Sequence, residues 1–181
     1  MNRAIDDLMH EHGAVLEGLR ILHGIAGLME AGSSVDEGDI SDMLGFLKVF
    51  ADRCHHGKEE DFLFPALVRA GISEQEVSLR SLLSEHARGR ELVCAMEEAS
   101  FPKLRPAEFM AAAHGYLELL TAHIRKENEL LFPLAGKLLS KQQAEELAEA
   151  FDAHEATVVG KGRHEELHEL LGRLRARYAG S

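Results

Sequence analysis

Two segments of the chain repeat one spacing of groups that can bind a cation. His55-His56-Gly57-Lys58-Glu59-Glu60-Asp61-Phe62-Leu63-Phe64-Pro65 and His123-Ile124-Arg125-Lys126-Glu127-Asn128-Glu129-Leu130-Leu131-Phe132-Pro133 both read H-x-x-x-E-x-x-x-L-F-P, with Lys before the Glu in each. Residues four apart share one face of a helix, so His55 points with Glu59 and His123 with Glu127. Both pairs fall inside otherwise apolar stripes. A carboxylate aimed into a core is costly unless something positive meets it. No Lys or Arg shares either stripe beside the pairs, and two such carboxylates on facing helices repel each other. A pair of divalent or trivalent cations removes both problems. A weaker echo pairs Leu8-Met9-His10-Glu11-His12 with Leu82-Leu83-Ser84-Glu85-His86, each followed five residues later by a Glu, Glu17 and Glu91.

Long helices must carry these groups. Ile5, Leu8, Met9, His12, Leu16 and Leu19 recur at three- and four-residue spacing and predict a first helix over about 2–31. Residues 35–41 are polar and read as a loop. A second helix over about 42–70 presents Leu44, Leu47, Ala51, His55, Glu59, Phe62, Leu63 and Ala66, with Gly71 as the residue that ends it. Ser73 with Glu76 forms a capping box for a third helix ending near Ser100, its face Leu79, Leu82, Leu83, His86 and Val93. A fourth, over about 107–139, presents Tyr116, Leu119, Leu120, His123, Glu127, Leu130, Leu131 and Leu134. Two further helical segments run to about Ala156 and to Tyr178. Four long helices with short connections predict an all-α, antiparallel up-and-down four-helix bundle over 1–140, with a C-terminal helical extension over 141–181 packed on the same domain. Glu59 and His86 each lie about 12 residues, roughly 18 Å, from the turn near Gly71. Similar counts across the other connections let His12, His55, His86 and His123 meet in one layer.

Bulk composition excludes several other functions. The formal net charge is −11 and the basic stretches are short, which argues against a nucleic-acid partner. No stretch is apolar for long enough to span a bilayer. The N-terminal residues lack an apolar signal-peptide core. Two isolated cysteines, Cys54 and Cys94, do not make a disulfide framework, so a reducing cytoplasm is the expected location.

The residues of the repeat resemble the hemerythrin-like family, the HHE cation-binding domain, over about 1–140. The resemblance implies a four-helix bundle holding two iron ions with a bridging oxo or hydroxo group. It implies His12, His55, His86 and His123 as terminal ligands and Glu59 and Glu127 as bridging carboxylates. It also implies a small diatomic or peroxide ligand: O2, nitric oxide or peroxide, in sensing or stress protection. Redox activity on peroxide or nitric oxide, and pairing with a second copy of the chain, stay open. The sequence departs from the oxygen carriers of the family in two places. Where they have a second His one turn after the helix-three ligand, this chain has Arg90. Where their last carboxylate is an Asp one residue further from its His, this chain has Glu127. With roughly six positions per iron, four imidazoles, four carboxylate oxygens and a shared bridge leave about two open, against one in the oxygen carriers. The alternative role is iron handling, storing or donating iron, including iron–sulfur cluster repair. Repair proteins with this domain carry an extra N-terminal segment with paired cysteines, and this chain starts at helix one, which weighs against that role.

Other groups read as peripheral. His56 and Glu60 form a second four-apart pair, but their face includes Asp52 and Arg53, so His56 is expected to support a ligand from outside or to lie at the surface. His164-Glu165-Glu166-Leu167-His168 matches H-E-x-x-H without the context of a zinc protease, and a solvated helix is expected there. His10, His23 and His114 are expected at the surface or in packing, Tyr116 in packing, and His154 at the surface. Arg173 to Arg177 read as a solvated face.

Overall fold

A computed structural model describes residues 2–73, 77–160 and 163–179, without the side chains of 163–165 and 168. The chain is all-helical, with no strand among the described residues. Helix α1 is Arg3–Glu30, capped by Asn2, whose side chain accepts from the Ile5 N–H. Helix α2 spans 37–69 as one run: Glu37–Phe46 is α-helical, Leu47–His56 and Glu59–Leu63 are π-helical, and Phe64–Arg69 is α-helical again. Helix α3 is Leu79–Ser100. Helix α4 spans 106–138, with Glu127–Leu131 as its π-helical stretch. Helices α5, Lys141–Val158, and α6, Arg163–Tyr178, complete the chain.

Two helix starts differ from expectation. The polar segment before α2 is helical from Glu37, because the Asp36 side chain accepts from the N–H groups of Gly38 and Asp39 and so caps the first turn. Helix α3 starts at Leu79 under a Ser78 cap, five residues after the start set by Ser73, and Glu76 of the expected capping box lies outside the described residues. Gly71 ends α2 as expected, in the left-handed region at φ 85°. The side chains of His164 and His168 lie outside the described residues.

The π-helical stretches have a local cause. Pro65 and Pro133 sit inside continuous helical runs and have no N–H to give to the carbonyl four residues back. The wide turns just before them, Glu59–Leu63 and Glu127–Leu131, take up that mismatch.

Helix α3 packs mainly on α4, α1 on α4 and on the first π stretch of α2, and that stretch also meets α3. Helix α5 lies against α1 and both π stretches of α2, and α6 against α1 and the start of α2. Asp39 is buried and takes Arg173, Arg177 and the Tyr178 hydroxyl of α6. The arginines expected on a solvated face therefore fasten α6 down, although Arg173 and Arg177 remain half-exposed.

The apolar core falls into two clusters. One contains Val15, Leu22, Phe50, Ala51, Leu92, Tyr116 and Leu120; the other contains Leu8, Leu63, Leu82, Leu131, Phe132 and Phe151. On every long helix the candidate ligands fall between the two, and the order in which the chain meets the clusters alternates from helix to helix. Met9, Leu83 and Leu130, expected on buried faces, are 47%, 42% and 53% exposed, because each stands about 100° around its helix from the buried neighbour Leu8, Leu82 or Leu131. Among the described residues no helix is long and apolar enough to cross a membrane.

Candidate metal centre

Between the two apolar clusters lies a polar layer. His12, His55, Glu59, His86, His123 and Glu127 are each no more than 2% exposed, and the structure brings all six together. Glu59 reaches towards two histidines, with Oε1 3.8 Å from His55 Nε2 and Oε2 3.5 Å from His86 Nε2. Glu127 does the same from the other side, its Oε2 3.3 Å from His12 Nε2 and 3.2 Å from His123 Nε2. Each carboxylate thus spans one histidine of α1 or α3 and the histidine one turn before it on its own helix.

The outer nitrogens are all held. His55 Nδ1 lies 2.8 Å from Glu11, His123 Nδ1 2.8 Å from Glu85, His86 Nδ1 2.7 Å from Glu60 and His12 Nδ1 2.9 Å from the Asn128 side-chain oxygen. An ionised carboxylate and an amide oxygen only accept, so Nδ1 carries a proton in each ring and the Nε2 edge turns inward, where those of His86 and His123 lie 3.0 Å apart. Orienting acceptors of this kind fix the tautomer and raise the basicity of metal-binding imidazoles. Three of these acceptors are charge-paired in turn: Glu11 takes Lys58, Glu85 takes Lys126 and Glu60 takes Arg90.

Most of the inward atoms have nothing to bind. His12 Nε2, His55 Nε2 and all four oxygens of Glu59 and Glu127 are buried without a hydrogen-bond partner among the described residues. Buried polar atoms in native proteins are nearly always satisfied, so this donor set fits bound cations. The electrostatics agree. Burial, and then the Glu127 carboxylate, push Glu59 well above the usual carboxylate range. Burial also opposes ionisation of Glu127, but the imidazoles of His12 and His123 outweigh it and hold that group well below the usual range. Without cations the pair therefore keeps one proton between its two members. Burial lowers His55 to about 4, leaving it neutral as a ligand must be. His123 is raised to about 9, because Glu127 and Glu85 together outweigh its burial.

His56 is where the structure departs most from the reading of the sequence. It is 3% exposed, not a surface group, and it joins Glu59, His86 and His123 in a cluster whose ligand atoms lie within 4.8 Å of one another. Successive residues of an α-helix are about 100° apart. The wider π turn over Leu47–His56 reduces that angle, so His55 and His56 both face inward. Nothing in residues 47–56 signals this turn, and Pro65 adjoins the separate π stretch Glu59–Leu63.

The remaining peripheral residues fall as follows. His10, His23 and His114 are exposed. His154 does not reach the centre; its ring caps the Arg53 carbonyl at 3.0 Å and lies where a Cβ on Gly57 would stand, 2.7 Å away. Tyr116 is packed in the apolar core. Cys54 is buried, its thiol pushed up to about 12 by that burial, and no ligand role falls to it in the central layer. The supporting groups Glu11, Glu85, Lys58 and Lys126 had one visible signal, since both repeats place Glu before the first His and Lys before the second Glu.

The family model described as the hemerythrin HHE cation-binding domain matches residues 3–135. Among curated proteins the chain is 27% identical, over 157 residues, to an uncharacterized protein of Mycobacterium bovis and to uncharacterized proteins of two strains of Mycobacterium tuberculosis. Those alignments cover 84% of this chain and 61% of the relatives, so the chain spans about three fifths of their length. No solved structure matches.

Proposed function

Since the chain belongs to the hemerythrin HHE cation-binding domain family, we propose that its polar layer holds two iron ions joined by an oxo or hydroxo bridge, and that these bind O2, nitric oxide or peroxide in sensing or stress protection. In this reading His12, His55, His86 and His123 are terminal ligands and Glu59 and Glu127 are the bridging carboxylates. The observation that carries it is the set of buried, unpartnered oxygens and nitrogens converging on one interior. The alternating order of the two apolar clusters along the four long helices supports an antiparallel up-and-down bundle over 1–140 with 141–181 as an extension of the same domain. Free thiols at Cys54 and Cys94 suit a cytoplasmic setting.

When bound, the metal pair supplies one-electron and two-electron redox chemistry and Lewis acidity. The chain's own residues do the rest. Glu11, Glu85, Glu60 and Asn128 fix each imidazole tautomer. Phe132, stacked on His12 with ring centroids 5.2 Å apart, and Phe64, 5.9 Å from His86, close the layer against water. The dry wall strengthens the electrostatic hold of the carboxylates on a cation. Ligand burial this complete favours retention of the metal over its donation.

The test is to load the chain with ferrous iron without oxygen and mix it with O2, nitric oxide or peroxide. A fast change in the optical spectrum with two irons still bound is the expected result. Loss of iron to a chelator or acceptor on the same timescale would favour iron handling instead.

A further inference from the structure

Four of the histidines around the centre share one posture, with Nδ1 on an outer acceptor and the other edge of the ring turned inward. His56 has the same posture. Its Nδ1 lies 3.4 Å from Asp52 Oδ1, and the ring stacks on His86 with centroids 3.9 Å apart. Arg90 ties the arrangement from outside, its Nε 2.7 Å from Asp52 and its Nη2 2.6 Å from Glu60, the acceptor of His86. One guanidinium therefore fixes the acceptors of two adjacent imidazoles. The ring is buried at the centre, and its ligand atom lies within 4.8 Å of those of Glu59, His86 and His123.

We infer that His56 is a fifth histidine ligand, so that three imidazoles (His56, His86, His123) serve one metal and two (His12, His55) serve the other. The third imidazole comes from α2 through its π turn, and Arg90 on α3 acts as a positioning residue for it. The inference rests on the di-iron reading and changes its arithmetic. With roughly six positions per iron, the fifth imidazole leaves about one open position where four leave two. That position falls on the metal held by His12 and His55.

The test counts imidazoles directly. The wild-type chain is loaded with ferrous iron without oxygen, and the hyperfine-shifted proton NMR resonances that disappear in D2O are counted. Each metal-bound imidazole with a protonated Nδ1 gives one, so five are expected. Two bound irons with only four such protons would overturn the fifth ligand alone. Fewer than two irons would overturn the di-iron reading and the fifth ligand with it. The variant His56→Ala should lose one of the five protons and bind its second iron at least roughly 10- to 100-fold more weakly, with free imidazole restoring affinity. An unchanged second-iron affinity in this variant would contradict the assignment.

Discussion

The two halves of the repeat build the same triad and bury it differently. In the first, His55 donates to Glu11, Glu11 takes Lys58, and Lys58 is 2% exposed because Glu155 of α5 closes over it at 2.7 Å. In the second, His123 donates to Glu85, Glu85 takes Lys126, and that Lys is 35% exposed. Both Glu–Lys pairs orient one imidazole. Only the first does so inside the protein, and Glu155 of α5 makes the difference. The same sequence pattern therefore yields a dry charge pair on one side and a wet one on the other, and their energetics follow burial.

The largest effect should come from cutting the dry pair. Glu11→Ala leaves Lys58 buried with Glu155 alone and should cost about 3 kcal/mol, whereas Glu85→Ala should cost about 1 kcal/mol or less. Urea denaturation of the metal-free variants measures both, and equal losses would break the comparison. Acid should expose the same asymmetry. Burial would raise Glu11, but its bonds to His55 and Lys58 prevail and lower it from 4.5 to about 2. A lowered carboxylate stabilises above its unfolded value, so this contribution is present above about pH 4.5 and fades as pH falls towards 2. In Glu11→Gln that part of the acid sensitivity should be missing.

Next in size is proton release. His123, raised to about 9, must lose its proton to bind a metal, and Glu59 must lose one wherever pH lies below its raised value. Metal binding at neutral pH should release at least about one proton per chain, and affinity should fall as pH drops. Calorimetry in buffers of different ionisation enthalpy measures this, and heats independent of buffer would contradict it.

A comparable effect is expected where the repeat is broken. Glu60 orients His86 with a carboxylate, while the equivalent Asn128 orients His12 with an amide. Glu60→Gln should weaken metal binding roughly 10-fold or more. Asn128→Asp should make the two sides more alike and lower the reduction potential; an unchanged potential would show that the difference carries no function. Glu155→Gln should have the smallest effect, about 1 kcal/mol, because Lys58 keeps Glu11.

Much of this was legible in the residues. The four-apart His and Glu pairs fixed which groups share a face, and counting along helices placed four histidines at one height. The inward turn of His56 was not legible, because α-helical periodicity assigns Asp52, Arg53 and His56 to an outer face and the π turn over Leu47–His56 overrides that assignment. Nor was the early start of α2, which depends on the Asp36 side chain accepting from the N–H groups of Gly38 and Asp39. The closing of Lys58 by Glu155 depends on how α5 docks, and no local pattern in 141–158 encodes that.

Metal content of Glu59→Ala/Glu127→Ala, measured by mass spectrometry beside the wild type, tests the central claim most directly. The account predicts two irons in the wild-type chain and loss of the pair in the variant, with helical content preserved. Two metals persisting without either glutamate would contradict it.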